Sequence, residues 1–119
     1  MPDQRYEYDF VCIGSGPAGQ RGAVQATKLG HRVALVERRR GMGGVCVDTG
    51  TIPSKTFREA VMSFVASGRP FEAVQQARAD RRPTAQQLLS RVSGVMAREC
   101  QVIENQLRRN DVDIFYGSA

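Results

Sequence analysis

Gly14-Ser15-Gly16-Pro17-Ala18-Gly19 has the spacing G-x-G-x-x-G, and an acid, Glu37, follows with residues 20–36 between them. Set between a strand and a helix, such a hexapeptide cradles a pyrophosphate. Gly14 permits the tight turn, Gly16 lets the backbone approach phosphate oxygens, and Gly19 allows close packing of helix on strand. The helix that opens at Pro17 and Ala18 adds unpaired N–H groups and a partial positive charge. Glu37 falls at the end of the second strand. There a carboxylate accepts hydrogen bonds from both hydroxyls of an adenosine ribose and repels a 2′-phosphate, which argues against NADP at this position. The alternative is a Gly-rich turn with a chance acid. The joint spacing favours an ADP-containing dinucleotide, and the cradle by itself does not separate NAD from FAD.

These residues need particular elements to hold them. Asp9-Phe10-Val11-Cys12-Ile13 is a nearly continuous apolar run ending at Gly14, the pattern of a buried parallel strand. A helix is expected from Pro17 to Leu29, with Ala18, Ala23, Ala26 and Leu29 as its small or apolar contacts. Gly30 ends it, His31 and Arg32 turn the chain, and Val33-Ala34-Leu35-Val36 forms the second strand. The result is the first βαβ half of a doubly wound α/β sheet, a Rossmann-like arrangement. His31, the sole histidine, reads as a solvated turn residue.

Residues 38–50 lack any hydrophobic period and read as a loop. From Thr51 a helix is expected, carrying Phe57, Ala60, Val61, Phe64 and Val65 as an apolar stripe. Thr51 itself fits the N-cap position before Ile52 and Pro53. Residues 68–83 are polar and Arg-rich and read as a surface excursion, with a short helix near 71–79. Thr84 and Gln87 have capping-box spacing and open a long amphipathic helix with Leu88, Val92, Val95, Met96, Val102, Ile103 and Leu107 on one side. Asn110-Asp111 suits a left-handed cap, and Val112–Tyr116 alternates as a strand. Cys12 and Cys100 read as packing residues.

Composition narrows the function classes. A chain of 119 residues, 41% apolar and 24% charged, has length for one compact domain. No apolar run approaches the ~20 residues of a membrane-spanning helix, and the acidic N-terminus does not resemble a signal peptide. Three widely spaced cysteines make neither a disulfide framework nor a zinc knuckle, so no metal site is expected and a reducing cytoplasm is the expected location. The net charge of +5 rests on 17 basic residues, all Arg except Lys28 and Lys55. No aromatic residues interleave with those arginines as single-strand nucleic-acid binding requires. The excess reads as a surface property, with neither nucleic acid nor membrane as partner.

The segment Gly43-Gly44-Val45-Cys46-Val47-Asp48-Thr49-Gly50-Thr51-Ile52-Pro53-Ser54-Lys55 adds a second motif. It resembles the active-site segment of the FAD-dependent pyridine nucleotide–disulfide oxidoreductases, G-G-x-C-x-x-x-x-C-[IV]-P-[ST]-K. Every fixed position is present except the second cysteine, which is Thr51. A single cysteine followed by Gly-Thr-Ile-Pro-Ser-Lys is similar to the soluble pyridine nucleotide transhydrogenase branch, and the resemblance runs from Tyr8 to Ala119.

The resemblance implies FAD as cofactor and NADPH and NAD as substrates, with hydride passing between them through the flavin. The departure at position 51 has direct chemical meaning. Thr forms neither a disulfide nor a charge-transfer thiolate, so Cys46 has no local partner and a thiol relay is missing. By the same resemblance Thr51, Cys46 and Lys55 form the flavin-proximal segment, with the Lys55 ammonium near flavin N5. Gly43, Gly44 and Val45 join Gly14, Gly16, Pro17, Ala18, Gly19 and Glu37 in holding the cofactor. Arg38 is expected near the adenine or pyrophosphate, while Arg39 and Arg40 read as surface residues. Ser118 and Ala119, after Gly117, match the turn whose backbone meets the adenine.

Family members continue for several times this length. Residues 1–119 are therefore expected to be the N-terminal portion of the FAD-binding domain, with the NAD(P)-binding and dimerisation domains outside them. The family forms homo-oligomers. Two other readings stay open: a non-catalytic or truncated dinucleotide-binding module, and a flavin oxidoreductase like dihydrolipoamide dehydrogenase.

Overall fold

The computed structural model describes residues 6–66 and 84–119. The expected surface excursion at 68–83 lies outside the described residues, as do the side chains of Phe64 and Val65. Three strands, β1 (Phe10–Ile13), β2 (Val33–Glu37) and β3 (Val112–Tyr116), form a parallel sheet in the order β1-β2-β3. Helix α1 (Pro17–Lys28) connects β1 to β2. Between β2 and β3 run α2 (Gly44–Asp48), α3 (Thr51–Ala66) and α4 (Ala85–Arg109). An α/β domain with a parallel sheet is the fold class expected from the sequence.

Register explains the core. Cys12, Leu35 and Ile114 lie in line, as do Phe10, Val33 and Val112, so these residues share one face of the pleat. On that face Cys12, Val33, Leu35 and Val112 are buried together with Ala23 of α1, Met42, Val47 of α2, and Ile103 and Leu107 of α4. Leu35 and Ala23 are 0% exposed, the centre of this cluster. Ala23 is small, which lets α1 approach the sheet closely.

The opposite face differs from the expectation of a buried first strand. Val11 and Ile13 are 51% and 79% exposed, and even Phe10, at the start of β1 on the covered side, is 42% exposed. β1 is an edge strand of three, and among the described residues no helix covers the face that carries Val11 and Ile13. A continuous apolar run specifies a strand that can be covered on both sides; coverage itself depends on neighbours.

Other elements also depart from the sequence reading. Leu29 is 68% exposed because it is the C-cap of α1, its N–H bonded to the Gln25 and Ala26 carbonyls, and the turn carries its side chain outward. Val102 is 51% exposed and leaves the α4 stripe, whereas Val92, Ile103 and Leu107 are buried as expected. Residues 44–48, read as loop, form the short helix α2. Its apolar anchor is the single residue Val47, too little for a period to show, and the chain enters it through Gly43 and Gly44 at φ of 116° and 63°.

Caps set the remaining boundaries. Thr84 Oγ1 accepts from the Gln87 N–H at 3.2 Å while Gln87 Oε1 accepts from the Thr84 N–H at 3.0 Å, completing the capping box of α4. Asp111 takes the left-handed conformation, φ 56°, between α4 and β3. Thr51 is not the N-cap of α3. The Gly50 carbonyl accepts from the Ser54 N–H and, at 2.8 Å, from Ser54 Oγ, which makes Gly50 the cap and Thr51 the first helical residue.

Candidate cofactor site

The carboxyl ends of all three strands gather at one edge, the place where open α/β sheets bind ligands. The Gly14 N–H donates to the Val36 carbonyl at 2.8 Å, and the Gly117 N–H donates to the Glu37 carbonyl at 2.9 Å. These two bonds extend the parallel ladder past the strand ends. They bring the Gly14–Gly19 turn, Glu37 and the Gly117-Ser118-Ala119 end together.

The turn is shaped as an anion cradle. A Cβ placed on Gly19 would stand 2.2 Å from the Gly14 carbonyl oxygen, so only glycine lets α1 start this close to β1. A Cβ on Gly14 or Gly16 would meet nothing within 4 Å: the inner face of the turn is open space. Pro17 opens α1 and has no N–H, leaving Ala18 and Gly19 to present the first main-chain donors at a helix N-terminus that has no side-chain cap. A closed, occupied turn would not suit a phosphate; this one fits it.

Glu37 continues the alternation of Val33 and Leu35 and so points toward the covered face, where it is 5% exposed. A buried carboxylate needs donors. Oε2 accepts from the Ser15 N–H at 2.8 Å and from Ser15 Oγ at 2.5 Å, and Oε1 accepts from the Arg39 N–H at 2.9 Å. Burial alone would raise the Glu37 pKa. The hydrogen bonds from Ser15 Oγ, Arg39 N–H and Ser15 N–H, with the Arg39 charge, outweigh it and hold the carboxyl below its ordinary value. With Oε2 taken by two donors of the chain, the free accepting capacity of Glu37 lies mainly on Oε1.

The second motif packs directly on this cradle. The Gly43 N–H donates to Ser15 Oγ at 3.0 Å, and Asp48 at the other end of α2 pairs with the Arg39 guanidinium. Cys46, half-buried, therefore stands on a helix tied at both ends to the neighbourhood of Glu37. Gly50 seats against the Val45 carbonyl and the Cys46 Cα, which brings the first turn of α3 beside Cys46. Thr51 and Lys55 lie one turn apart on α3 and are exposed, as is Val45. Cys12, Cys46 and Cys100 are all free thiols.

Arg38, Arg39 and Arg40 follow β2 at the carboxyl edge of the sheet. With Tyr116 and Gly117 they line an open cavity of about 370 Å³ beside Glu37. Ser118 and Ala119 follow that cavity and are exposed. Cys12, buried, and Cys100, half-buried, keep their packing roles. Cys12 Sγ donates to the Gly19 carbonyl at 3.4 Å and Cys100 Sγ to the Met42 carbonyl at 3.1 Å, and burial raises both pKa values. No group of metal-ligating side chains occurs among the described residues, and no helix there is long and apolar enough to cross a membrane.

The sequence reading missed Ser15. It is fully buried and joins the acid, within the cradle itself, to the entrance of α2. The middle position of G-x-G admits many residue types, so nothing in the motif distinguishes a hydroxyl with two partners from a spacer. Asp48 was also passed over, since its partner Arg39 is nine residues away across a helix.

A parallel sheet with this glycine turn, and with a buried acid at the end of its second strand, defines a dinucleotide-binding α/β domain. The chain belongs to the FAD dependent oxidoreductase family, whose model matches residues 9–119. It is 50% identical over 111 residues to the soluble pyridine nucleotide transhydrogenase of Mycobacterium tuberculosis, covering 93% of this chain and 24% of that protein. It is 36% identical over 115 residues to the soluble pyridine nucleotide transhydrogenase of Pseudomonas syringae pv. tomato, covering 95% and 24%. Among solved structures it is similar to the HOCl-induced flavoprotein disulfide reductase of Escherichia coli, with a TM-score of 0.73 and 26% identity over 94% of this chain and 22% of that one. The chain thus spans about a quarter of the length of the curated relatives it matches. The family resemblance read from the two motifs is borne out, and FAD is the cofactor of that family.

Proposed function

We propose that these residues form the FAD-cradling part of an oxidoreductase that moves hydride between nicotinamide nucleotides, NADPH + NAD⁺ ⇌ NADP⁺ + NADH. The observation that supports it most is the attachment of the Gly43–Asp48 segment to the glycine turn through Ser15, with Thr51 where a disulfide reductase has its second cysteine. FAD supplies a carrier that takes up and returns two electrons as a hydride equivalent.

This chain's residues bind and orient. The main-chain N–H groups of Ala18 and Gly19 face the pyrophosphate across the open surface of Gly16. Glu37 accepts from the adenosine ribose, chiefly at Oε1, and Arg38 with Gly117, Ser118 and Ala119 borders the adenine. Gly43, Gly44, Val45 and Cys46 line the path from cradle to flavin. Thr51 and Lys55 present a hydroxyl and an ammonium on one face of α3, from which positive charge would favour negative charge on a bound flavin. With Thr51 opposite Cys46, the chain holds no thiol pair for a relay. Homo-oligomer formation and a cytoplasmic location belong to the same reading of the whole protein.

The test is made on the full chain. Flavin absorption after gel filtration, its loss in Glu37→Ala, and NADPH-dependent reduction of a nicotinamide analogue are the expected results. A colourless full chain defeats the FAD reading. A yellow full chain without nucleotide exchange supports the non-catalytic module, and efficient turnover of lipoamide or glutathione moves the protein to the disulfide reductases.

A further inference from the structure

Ser15 spends every polar group it has. Its carbonyl accepts from Gln20 Nε2 at 2.7 Å, its N–H and its hydroxyl both donate to Glu37 Oε2, and its hydroxyl oxygen accepts from the Gly43 N–H. A hydroxyl has one hydrogen and two lone pairs, so the direction of this chain is fixed once Glu37 is ionised. The Gly43 N–H donates to Ser15 Oγ, and Ser15 Oγ–H donates to the carboxylate. Charge on the final acceptor polarises the hydroxyl and strengthens the bond before it. All three groups are buried, where no water replaces a lost partner.

The other end of α2 gives independent support. Arg39 donates its N–H to Glu37 Oε1 while its guanidinium pairs with Asp48, the last residue of α2. The five-residue helix carrying Cys46 is tied toward Glu37 at both ends, through the Ser15 hydroxyl on one side and through Arg39, whose guanidinium pairs with Asp48, on the other.

We propose that Ser15 is a positioning residue of the cofactor site, holding Glu37 in one orientation and tying the entrance of α2 to the ionised state of that carboxylate. The inference deepens the proposed FAD function and rests on it only for what α2 is positioned against. Among the described residues, the charged group that faces Glu37 is Arg39. Ser15 and Gly43, from the other two segments around it, are neutral. Tyr116 lies opposite Glu37 in the β-ladder, but its phenol faces Glu104 and Arg108 of α4. Protonation of Glu37 weakens the pull on Ser15 Oγ–H and loosens Gly43. FAD retention and the order of α2 therefore fall together as the pH drops through the Glu37 titration.

The experiment follows two readouts on the full chain between about pH 3 and 7, the carboxylate range and its approach. Release of FAD is read by flavin fluorescence, and amide hydrogen exchange, corrected for its intrinsic pH dependence, is read over residues 43–48 and over α4. In the unsubstituted protein, exchange at 43–48 rises toward acid while α4 stays protected. Ser15→Ala moves the pH of half-release upward, because the anion has lost its strongest donor, and raises exchange at 43–48 about tenfold, the worth of one buried hydrogen bond. Ser15→Thr, which keeps the hydroxyl, restores the position of the midpoint. A Ser15→Ala midpoint that does not move, or exchange that rises equally in α4, overturns the proposal and leaves Ser15 a packing residue. If Ser15→Ala cannot be purified, exchange in the unsubstituted protein decides. Protection at 43–48 that does not depend on pH overturns the proposal. A full chain that takes up no FAD defeats the functional reading alone, since the exchange measurement is made equally well on the apoprotein.

Discussion

Gly44 sits directly against Gly16: a Cβ on Gly44 would stand 3.0 Å from the Gly16 Cα and 3.3 Å from its nitrogen. Two motifs separated by a helix and a strand therefore meet backbone to backbone, with no side chain between them. Gly44 also has φ 63°, so an L side chain there is strained even before it collides. Gly44→Ala is expected to destabilise the full chain by ~2 kcal/mol or more, combining left-handed strain with a displaced cradle. Its midpoint in urea should fall at unchanged m-value, and FAD affinity should fall with it. A stable protein with normal FAD content would show that the two backbones are not in contact.

Much of this arrangement was legible beforehand, and the parts that were not share a cause. β2 and α4 announce themselves because each buries several residues in a readable pattern: Val33, Ala34 and Leu35 as a continuous apolar run, Val92, Ile103 and Leu107 at helical spacing. α2 buries one residue, Val47, and leaves no period to read. The exposed state of Val11 and Ile13 depends on what lies across the sheet, which an apolar run does not encode. Within the site, Gly19 and Glu37 stand out because their residue types answer a fixed geometric demand. Ser15 matters through Gly43, twenty-eight residues on, a partner created only when the chain returns. Long-range polar pairs of this kind carry no local spacing.

The capping box of α4 allows a clean stability measurement, because it is exposed and distant from the cradle. Thr84→Ala removes the acceptor for the Gln87 N–H and is expected to cost ~1 kcal/mol, while Thr84→Gly costs only a few tenths. FAD content should stay constant in both. A Thr84→Ala variant as stable as the unsubstituted protein would mean that the hydroxyl is not the capping group in solution.

Thiol chemistry gives a pH-dependent prediction with a definite sign. Burial raises the Cys12 pKa, and burial with the Asp48 charge raises that of Cys100; each thiol also donates to a carbonyl that a thiolate would face without a proton. The reactive form is the thiolate, so a raised pKa leaves little of it at neutral pH and more only as the pH climbs. Iodoacetamide at neutral pH should label Cys46 ahead of Cys12 and Cys100, with the last two gaining rate toward alkaline pH. Peptide mass mapping reads the order, and fast labelling of Cys100 at neutral pH would contradict its bond to Met42.

Gly16 and Gly19 separate folding from cofactor binding within one hexapeptide. A Cβ at Gly19 would lie 2.2 Å from the Gly14 carbonyl oxygen, a collision with backbone that α1 relieves only by moving off β1. Gly19→Ala should therefore lower stability by roughly 2–3 kcal/mol, the upper part of the range for overpacked sites. Gly16 has φ −64°, ordinary for any residue, and no atom within 4 Å of where its Cβ would stand. Gly16→Ala is accordingly expected to leave the apoprotein's stability unchanged, or to raise it by ~0.4–1 kcal/mol through the unfolded chain. The added methyl occupies the space left for a pyrophosphate, so this same variant should lose FAD. Denaturation of the apoprotein and FAD titration, measured on both variants, check the pair: Gly16→Ala with unchanged FAD affinity would place the pyrophosphate elsewhere.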